Sequence, residues 1–283
     1  MDNASDDGSA GAVHERFPDA RLFALEERRG KAENDSLLLQ EARGRFCLLL
    51  NEDSMLLDGA AQALVDALER DRGAAAAGAQ LLTAGGEPTA CAWRLPGAGW
   101  ALAAAVFLHE RYAVQSRGRS VREVGWVQSS AMLVRRQAAE AVGWLDPDFF
   151  VYSDETDFCK RLHDAGWRIL FVPAARAVHH DQLSTDSAAM RRRIVEFHRN
   201  RDLYFRKHDM PGTRLVWTIC WTWAYLVRAL AAVVLPGHDP RRYLLHARQQ
   251  LMPNRGAGIR EAAAAHNSRG PDGAAKVPGG GAR

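Results

Sequence analysis

One run, residues 125–180, constrains the fold more than any other part of the chain: GWVQSSAMLVRRQAAEAVGWLDPDFFVYSDETDFCKRLHDAGWRILFVPAARAVHH. Gly125 to Val134 reads as an apolar strand, Arg135 to Val142 as a helix closed by Gly143, and the segment from Ser153-Asp154 to Ala165 as a helix stopped by Gly166. Trp167 to Val172 is a second strand, Pro173 a break, and Ala177 to His180 an extended end. Strands alternating with helices predict an α/β fold, with a βαβ-type sheet covered by helices on both faces. Asp154, Glu155 and Asp157 stand at the start of one helix, and His179 and His180 at the end of one strand.

The upstream half has the same character. The spacing predicts a helix from Ala10 to Phe17, a short strand from Arg21 to Leu25, a helix from Ser36 to Ala42 and a buried parallel strand from Arg45 to Leu50. Asn51, Glu52 and Asp53 follow that strand at its carboxyl end, where open α/β sheets bind their ligands. Oxygen ligands there suit Mg²⁺ or Mn²⁺, and the same residues suit an acidic turn before the helix that Asp58 caps. A further strand is expected at Gly78 to Thr83, and residues 84–124 form an insertion of the kind that contacts substrate.

The acidic cluster also has two readings. A helix dipole favours acids in the first turn by about 0.3–1 kcal/mol with no function implied. The adjoining FFVY can instead desolvate a carboxylate and raise its pKa into the range of a general base. Asp154 and Asp157 share a face at i, i+3, while Glu155 lies on a neighbouring one. Adjacent histidines in an extended segment point to opposite faces, so at most one of the pair reaches a common site, and spacing does not say which.

Charge is unevenly distributed. Residues 191–283 carry 17 Lys and Arg against 6 acids, whereas residues 1–190 carry 20 against 28. The basic end expects a polyanion, either an anionic membrane surface or nucleic acid. Its aromatics cluster in Leu215–Leu235 instead of alternating with basic residues, which disfavours nucleic acid. That run is marginal as a membrane span, because its Arg228 would cost about 2.5 kcal/mol or more in hydrocarbon. Trp217, Trp221, Trp223 and Tyr225, flanked by basic helices at Met190–His208 and Arg241–Leu251, suit a membrane interface or a helix pair packed on the rest of the chain. The last thirty residues are expected to be disordered. The four scattered cysteines have neither disulfide nor zinc spacing.

In order along the chain, DNASDDGS (2–9), ERRGKAEN (27–34), LLLNEDS (48–54), SSAMLVRR (129–136) and the run from Val142 to His180 resemble the inverting glycosyltransferases of family 2, particularly a bacterial rhamnosyltransferase-like branch. The resemblance implies a GT-A (Rossmann-like) mixed sheet flanked by helices in residues 1–210. It also implies a chain that starts after the family's first strand, helix and second strand. A helical membrane-associating extension over 211–255 and a disordered tail over 256–283 would follow. Asp2, Asn3, Arg29, Gly30, Asn51 and Asp53 would contact a dTDP- or UDP-sugar donor. Asp53, Asn51 and His180, with His179 as alternative, would hold Mg²⁺ or Mn²⁺. Glu155 would be the catalytic base beside Asp154, with Trp144, Asp157 and Ser130 on the acceptor side. Lys31 and Glu33 depart from the small or aromatic residues usual in such proteins. The implied activity is sugar transfer, plausibly of rhamnose, to a lipid-linked or polysaccharide acceptor in the cytoplasm at the inner face of the plasma membrane. The alternative is an impaired remnant that binds membrane or a partner protein.

Overall fold

The computed structural model describes residues 1–180 and 186–269. In chain order the elements are α1 (Ser9–Arg16), α2 (Lys31–Glu41), β1 (Phe46–Leu50), β2 (Ser54–Leu56), α3 (Ala60–Arg70), β3 (Ala74–Leu82), β4 (Ala92–Trp93), α4 (Ala98–Ala105) and α5 (His109–Ala113). They continue as β5 (Arg122–Val124), β6 (Trp126–Val127), β7 (Ala131–Arg135), α6 (Arg136–Ala141), α7 (Asp154–Asp164), β8 (Arg168–His179), α8 (Ser187–Lys207), α9 (Pro211–Ala231), α10 (Pro240–Leu251) and α11 (Ile259–Asn267).

The main sheet runs β1-β7-β3-β8-β2, with β5 on the other half of β8, and β4 pairs with β6 in a small second sheet. Among the described residues only β3 and β8 run parallel, and every other strand pair is antiparallel. The sheet is therefore mixed, as the family resemblance implies, and not the parallel stack that consecutive βαβ units alone would build. β1, expected as a buried parallel strand, is an antiparallel strand at the end of this order that buries alternate residues. A short apolar run does not distinguish these cases, because periodicity says nothing about strand direction.

β3 (AAAAGAQLL) is buried along its whole length, since helices or the small sheet cover it on each side. Its Gly78 is a packing requirement: a Cβ there would stand 2.6 Å from Cβ of Val127 in β6. β8 does not stop at Pro173. Its register against β3 jumps from Ala79↔Val172 to Gln80↔Arg176, so residues 173–175 bulge out and the strand resumes. Proline has no amide to give the ladder, which explains the bulge at this position. The apolar stretch Gly125–Val134 is likewise two strands in two sheets, with Ser129 and Ser130 crossing between them. Residues 21–25 make a single bridge, Asp2↔Ala24, in place of a strand.

A second core joins Ala101 and Phe149 to Tyr204, Phe205, Trp217 and Cys220, so α8 and α9 pack on the 84–124 insertion and the aromatic loop. Asp157, fully buried, ties α7 to the end of α8 through Arg161 Nε (2.8 Å), Lys207 Nζ (2.9 Å) and His208 Nε2 (2.9 Å). Burial alone would raise its pKa, but these three groups outweigh it and hold the carboxyl below its ordinary value. The tail expected to be disordered from 256 contains α11, which Glu261 caps through the Gly258 amide and fastens to Arg199 of α8. Such polar anchoring leaves no hydrophobic period to detect. Residues 270–283 of that expectation lie outside the described residues. No helix among the described residues is long and apolar enough to cross a membrane.

Candidate active site

β2 pairs antiparallel with the end of β8, Ser54 opposite His179, and this pairing carries Asp53 to the histidines. His179 Nε2 lies 3.2 Å from Asp53 Oδ1, a buried oxygen that accepts no hydrogen bond. His180 donates its backbone amide to the Asp53 carbonyl (2.9 Å), and its side chain is exposed. Strand alternation decides between the two: His179 points into the site, in place of the expected His180.

Ser130 is on this side of the site, instead of the acceptor side. Its Oγ accepts from Asn51 Nδ2 (3.0 Å) and Gln128 Nε2 (2.9 Å) and lies 3.4 Å from His179 Nε2. The donor set suits a hard divalent cation: a free carboxylate oxygen with an imidazole nitrogen beside it. Among the described residues no three His, Cys, Asp or Glu side chains converge, so Asp53 and His179 would supply the protein ligands and substrate oxygens or water the rest.

The second carboxylate group lies across the Ser129-Ser130 crossing. Lys31, at the start of α2, donates to Ser129 Oγ (2.9 Å) and pairs with Asp35 one turn on. Burial opposes the Lys31 charge, but Asp35, Asp154 and Glu155 outweigh it and raise the pKa. The Lys31 amide donates to the Phe150 carbonyl (2.6 Å), and a Cβ on Gly30 would stand 2.9 Å from that oxygen. Gly30 is thus required for close approach of α2 to the aromatic loop, whatever its role toward a donor. The loop reaches α7 through two left-handed residues, Tyr152 (φ 68°) and Ser153 (φ 62°). Both are non-glycine and adjacent, the kind of strain that a surrounding site must hold in place. In this conformation the Ser153 side chain makes no capping bond to α7.

Asp154 is sealed, and neither of its oxygens accepts a hydrogen bond. Burial, and then the Glu155 charge, push its pKa well above the ordinary value. Of the pair, Asp154 is the sealed member and Glu155 the partly exposed one that a substrate can reach. The native state therefore binds more protons than the unfolded chain from the ordinary aspartate range up to the raised value, and stability falls with pH across that window. Asp154→Asn is expected to raise the melting temperature at pH 8 by roughly 2–4 °C for each kcal/mol recovered, because Asn stays neutral when buried without having to hold a proton. The gain should shrink as the pH approaches 4, as followed by thermal denaturation across pH. A lower or pH-independent melting temperature would contradict this assignment.

The other expected residues are spread around this centre. Asn3 exchanges two hydrogen bonds with the Arg29 backbone (3.0 and 2.8 Å), and the Arg29 side chain pairs with Glu33. Asp2 accepts from the Ser5 amide through its side chain (3.1 Å) and from the Leu25 amide through its carbonyl (3.0 Å). Asp157 is spent in the ion cluster described above, so it does not face an acceptor. Trp144 packs on the main core with the Arg136 guanidinium 5.4 Å from its ring centroid. Lys31, Asp35 and Ser129 went unrecognised in the sequence because α2 was expected to begin at Ser36. The i, i+4 spacing of Lys31 and Asp35 was the available signal.

The family described as Glycosyltransferase like family 2 matches residues 3–196. Over 203 residues the chain is 30% identical to N-acetylglucosaminyl-diphospho-decaprenol L-rhamnosyltransferase of Mycobacterium tuberculosis, covering 65% of this chain and 66% of that protein. Over 71 residues it is 41% identical to rhamnosyltransferase WbbL of Escherichia coli, covering 24% of this chain and 27% of that one. Among solved structures, mannosyltransferase PcManGT of Pyrobaculum calidifontis in complex with GDP-Man and Mn²⁺ superposes with a TM-score of 0.52 at 18% identity, over 94% of this chain and 76% of that one. GalNAc-T7 with UDP, GalNAc and Mn²⁺ gives 0.53 at 14%, over 90% of this chain and 47% of that one. At those identities the structural likeness speaks for the fold alone, a GT-A-like mixed sheet with flanking helices. With the match covering most of the sheet and both carboxylate groups, the chain belongs to the glycosyltransferase-like family 2.

Proposed function

We propose that this chain transfers a sugar, rhamnose, from a dTDP- or UDP-linked donor to a lipid-linked acceptor, with inversion at the anomeric carbon. The observation that carries the reading is the joining of two carboxylate groups, Asp53 with His179 and Asp154 with Glu155, across the Ser129-Ser130 crossing. Support for the acceptor class comes from the Mycobacterium tuberculosis relative, whose name specifies a diphospho-decaprenol substrate.

In this mechanism Glu155 takes the proton of the acceptor hydroxyl as that oxygen attacks the anomeric carbon opposite the departing diphosphate. Asp154, uncharged in its sealed position, stands behind Glu155 without competing for the proton. Lys31 offsets the charge that Glu155 and Asp35 bring to the floor of the site. Mg²⁺ or Mn²⁺ bound by Asp53 and His179 would neutralise charge growing on the diphosphate. Asn51 holds Ser130 in place beside His179. Asp2, Asn3, Arg29 and Gly30 are assigned to the donor side.

A place at the cytoplasmic face of the plasma membrane follows from the same reading. One face of α9 exposes Leu215, Ile219, Trp223, Leu226 and Leu230, next to Phe107 beyond α4. Arg241, Arg242 and Arg248 on α10 would meet anionic headgroups. The deciding experiment incubates the purified chain with Mn²⁺, dTDP-rhamnose or a UDP-sugar, and a polyprenyl-diphospho-sugar in anionic vesicles. Sugar transfer and sedimentation of the protein with the vesicles are the expected results. Failure to bind any nucleoside diphosphate in the presence of Mn²⁺ would sink the transferase reading.

A further inference from the structure

Between the small β4–β6 sheet and helices α8 and α9 lies a cavity of about 230 Å³ walled by Trp93, Trp126, Trp100, Trp217, Trp221 and Tyr225. Trp93 and Trp126 stack on each other with ring centroids 4.3 Å apart, so one wall is a broad and rigid aromatic face. At about 30 Å³ per water the space equals roughly seven waters, the scale of one sugar ring with a small substituent.

Three residues at this cavity carry buried donors without partners. Arg201 is 6% exposed, and its Nε and Nη1 make no hydrogen bond. Its guanidinium lies 5.6 Å from the Phe197 ring centroid and 5.5 Å from that of Trp217. Cation–π contact of this kind tolerates the charge without using its N–H groups. The indole nitrogens of Trp100 and Trp221 are buried and unpaired as well. Burial lowers the Arg201 pKa to about 10, and Glu155 is among the charges that act on it. A buried guanidinium with free donors costs stability unless an anion completes it. Aromatic walls suit the C–H faces of a pyranose, and an oxyanion suits the donors.

We propose that this cavity binds a glycosyl phosphate, its sugar ring against the tryptophans and its phosphate on Arg201, and so forms the subsite for the head of the lipid-linked acceptor. The assignment to the acceptor rests on the transferase reading above; the ligand chemistry rests on the cavity itself. The helix α9 connects the two ideas physically. Trp217, Trp221 and Tyr225 line the cavity from one face, while Ile219, Trp223 and Leu226 expose an apolar strip on another. A head group seated inside would leave its lipid close to that strip.

The test is titration of the full chain with N-acetylglucosamine 1-phosphate, followed by tryptophan fluorescence. A saturable change is expected, with free N-acetylglucosamine and inorganic phosphate each binding at least about 10-fold more weakly, as expected from losing either half of the contact. Arg201→Gln should weaken binding by about 10- to 100-fold, the effect of one or two charged hydrogen bonds. Trp221→Phe, which keeps an aromatic wall but loses the indole N–H and the pyrrole half of the ring, should weaken it less and guards against a folding defect in the first variant. Saturating UDP with Mn²⁺ should leave the titration unchanged, because the donor occupies the Asp53 side. Displacement by UDP, equal binding of the phosphate-free sugar, or wild-type binding by Arg201→Gln would each overturn the proposal. UDP binding without any response to the glycosyl phosphate would end this inference and leave the transferase reading intact. A saturable Arg201-dependent response without UDP binding would do the reverse.

Discussion

Glu155→Gln should abolish most sugar transfer while leaving the donor bound. Glutamine keeps the size and hydrogen-bonding reach of the side chain and cannot take a proton, so kcat is expected to fall by about 10²–10⁴, the usual contribution of a positioned base. Affinity for the nucleoside diphosphate, measured by calorimetry with Mn²⁺, should stay within about 2-fold, since no donor contact is removed. The alternative assignment makes Asp154 the base, and the structure separates the two. Asp154 is sealed and its pKa is raised by burial and the Glu155 charge, while its neighbour is partly exposed. If Asp154→Asn lost the larger share of kcat and Glu155→Gln stayed within about 10-fold of wild type, the roles would have to be exchanged.

The second large effect is at Asp53. Replacing it with Asn removes the charge from the one buried carboxylate oxygen that faces His179 without a hydrogen bond. Mn²⁺ affinity, read by calorimetry or electron paramagnetic resonance, is expected to drop by more than about 10-fold and kcat by about 10² or more. The rise in melting temperature produced by UDP with Mn²⁺ should vanish in parallel, because that rise is binding free energy. His179→Ala should share these losses and His180→Ala should not, since the His180 side chain is exposed and only its backbone touches Asp53. Equal effects of the two histidine variants, or unaltered Mn²⁺ binding in Asp53→Asn, would remove the metal assignment.

Much of the local structure was legible in the sequence. Gly143 (φ 77°) and Gly166 (φ 85°) end their helices in the left-handed conformation that only glycine adopts cheaply, so α6 and α7 were readable from spacing and a stop signal. The basic helices α8 and α10 were readable as helical segments too, whereas α9 was expected only as part of a helical extension over 211–255. Strand order was not. β1 and β7 look like any short apolar run, and nothing within either one encodes an antiparallel neighbour. The candidate site divides along the same line. Asp53, Asp154 and Glu155 were recognisable from their place after a strand or at a helix start, whereas Asp157, in the same helical turn, is consumed by Arg161, Lys207 and His208.

By itself, the sequence determined which residues can do chemistry and on which local element each one sits, because helix period, glycine stops and acid clusters act over a few residues. Only the tertiary structure decided which of them meet. Pairing of β2 with the end of β8 selects His179 over His180. The crossing at Ser129-Ser130 joins the two carboxylate groups through Lys31, and packing of α8 and α9 on the insertion leaves Arg201 unpaired inside an aromatic cavity. Each outcome depends on contacts between segments tens of residues apart, where side-chain direction and burial are set by the sheet and not by neighbours in the chain.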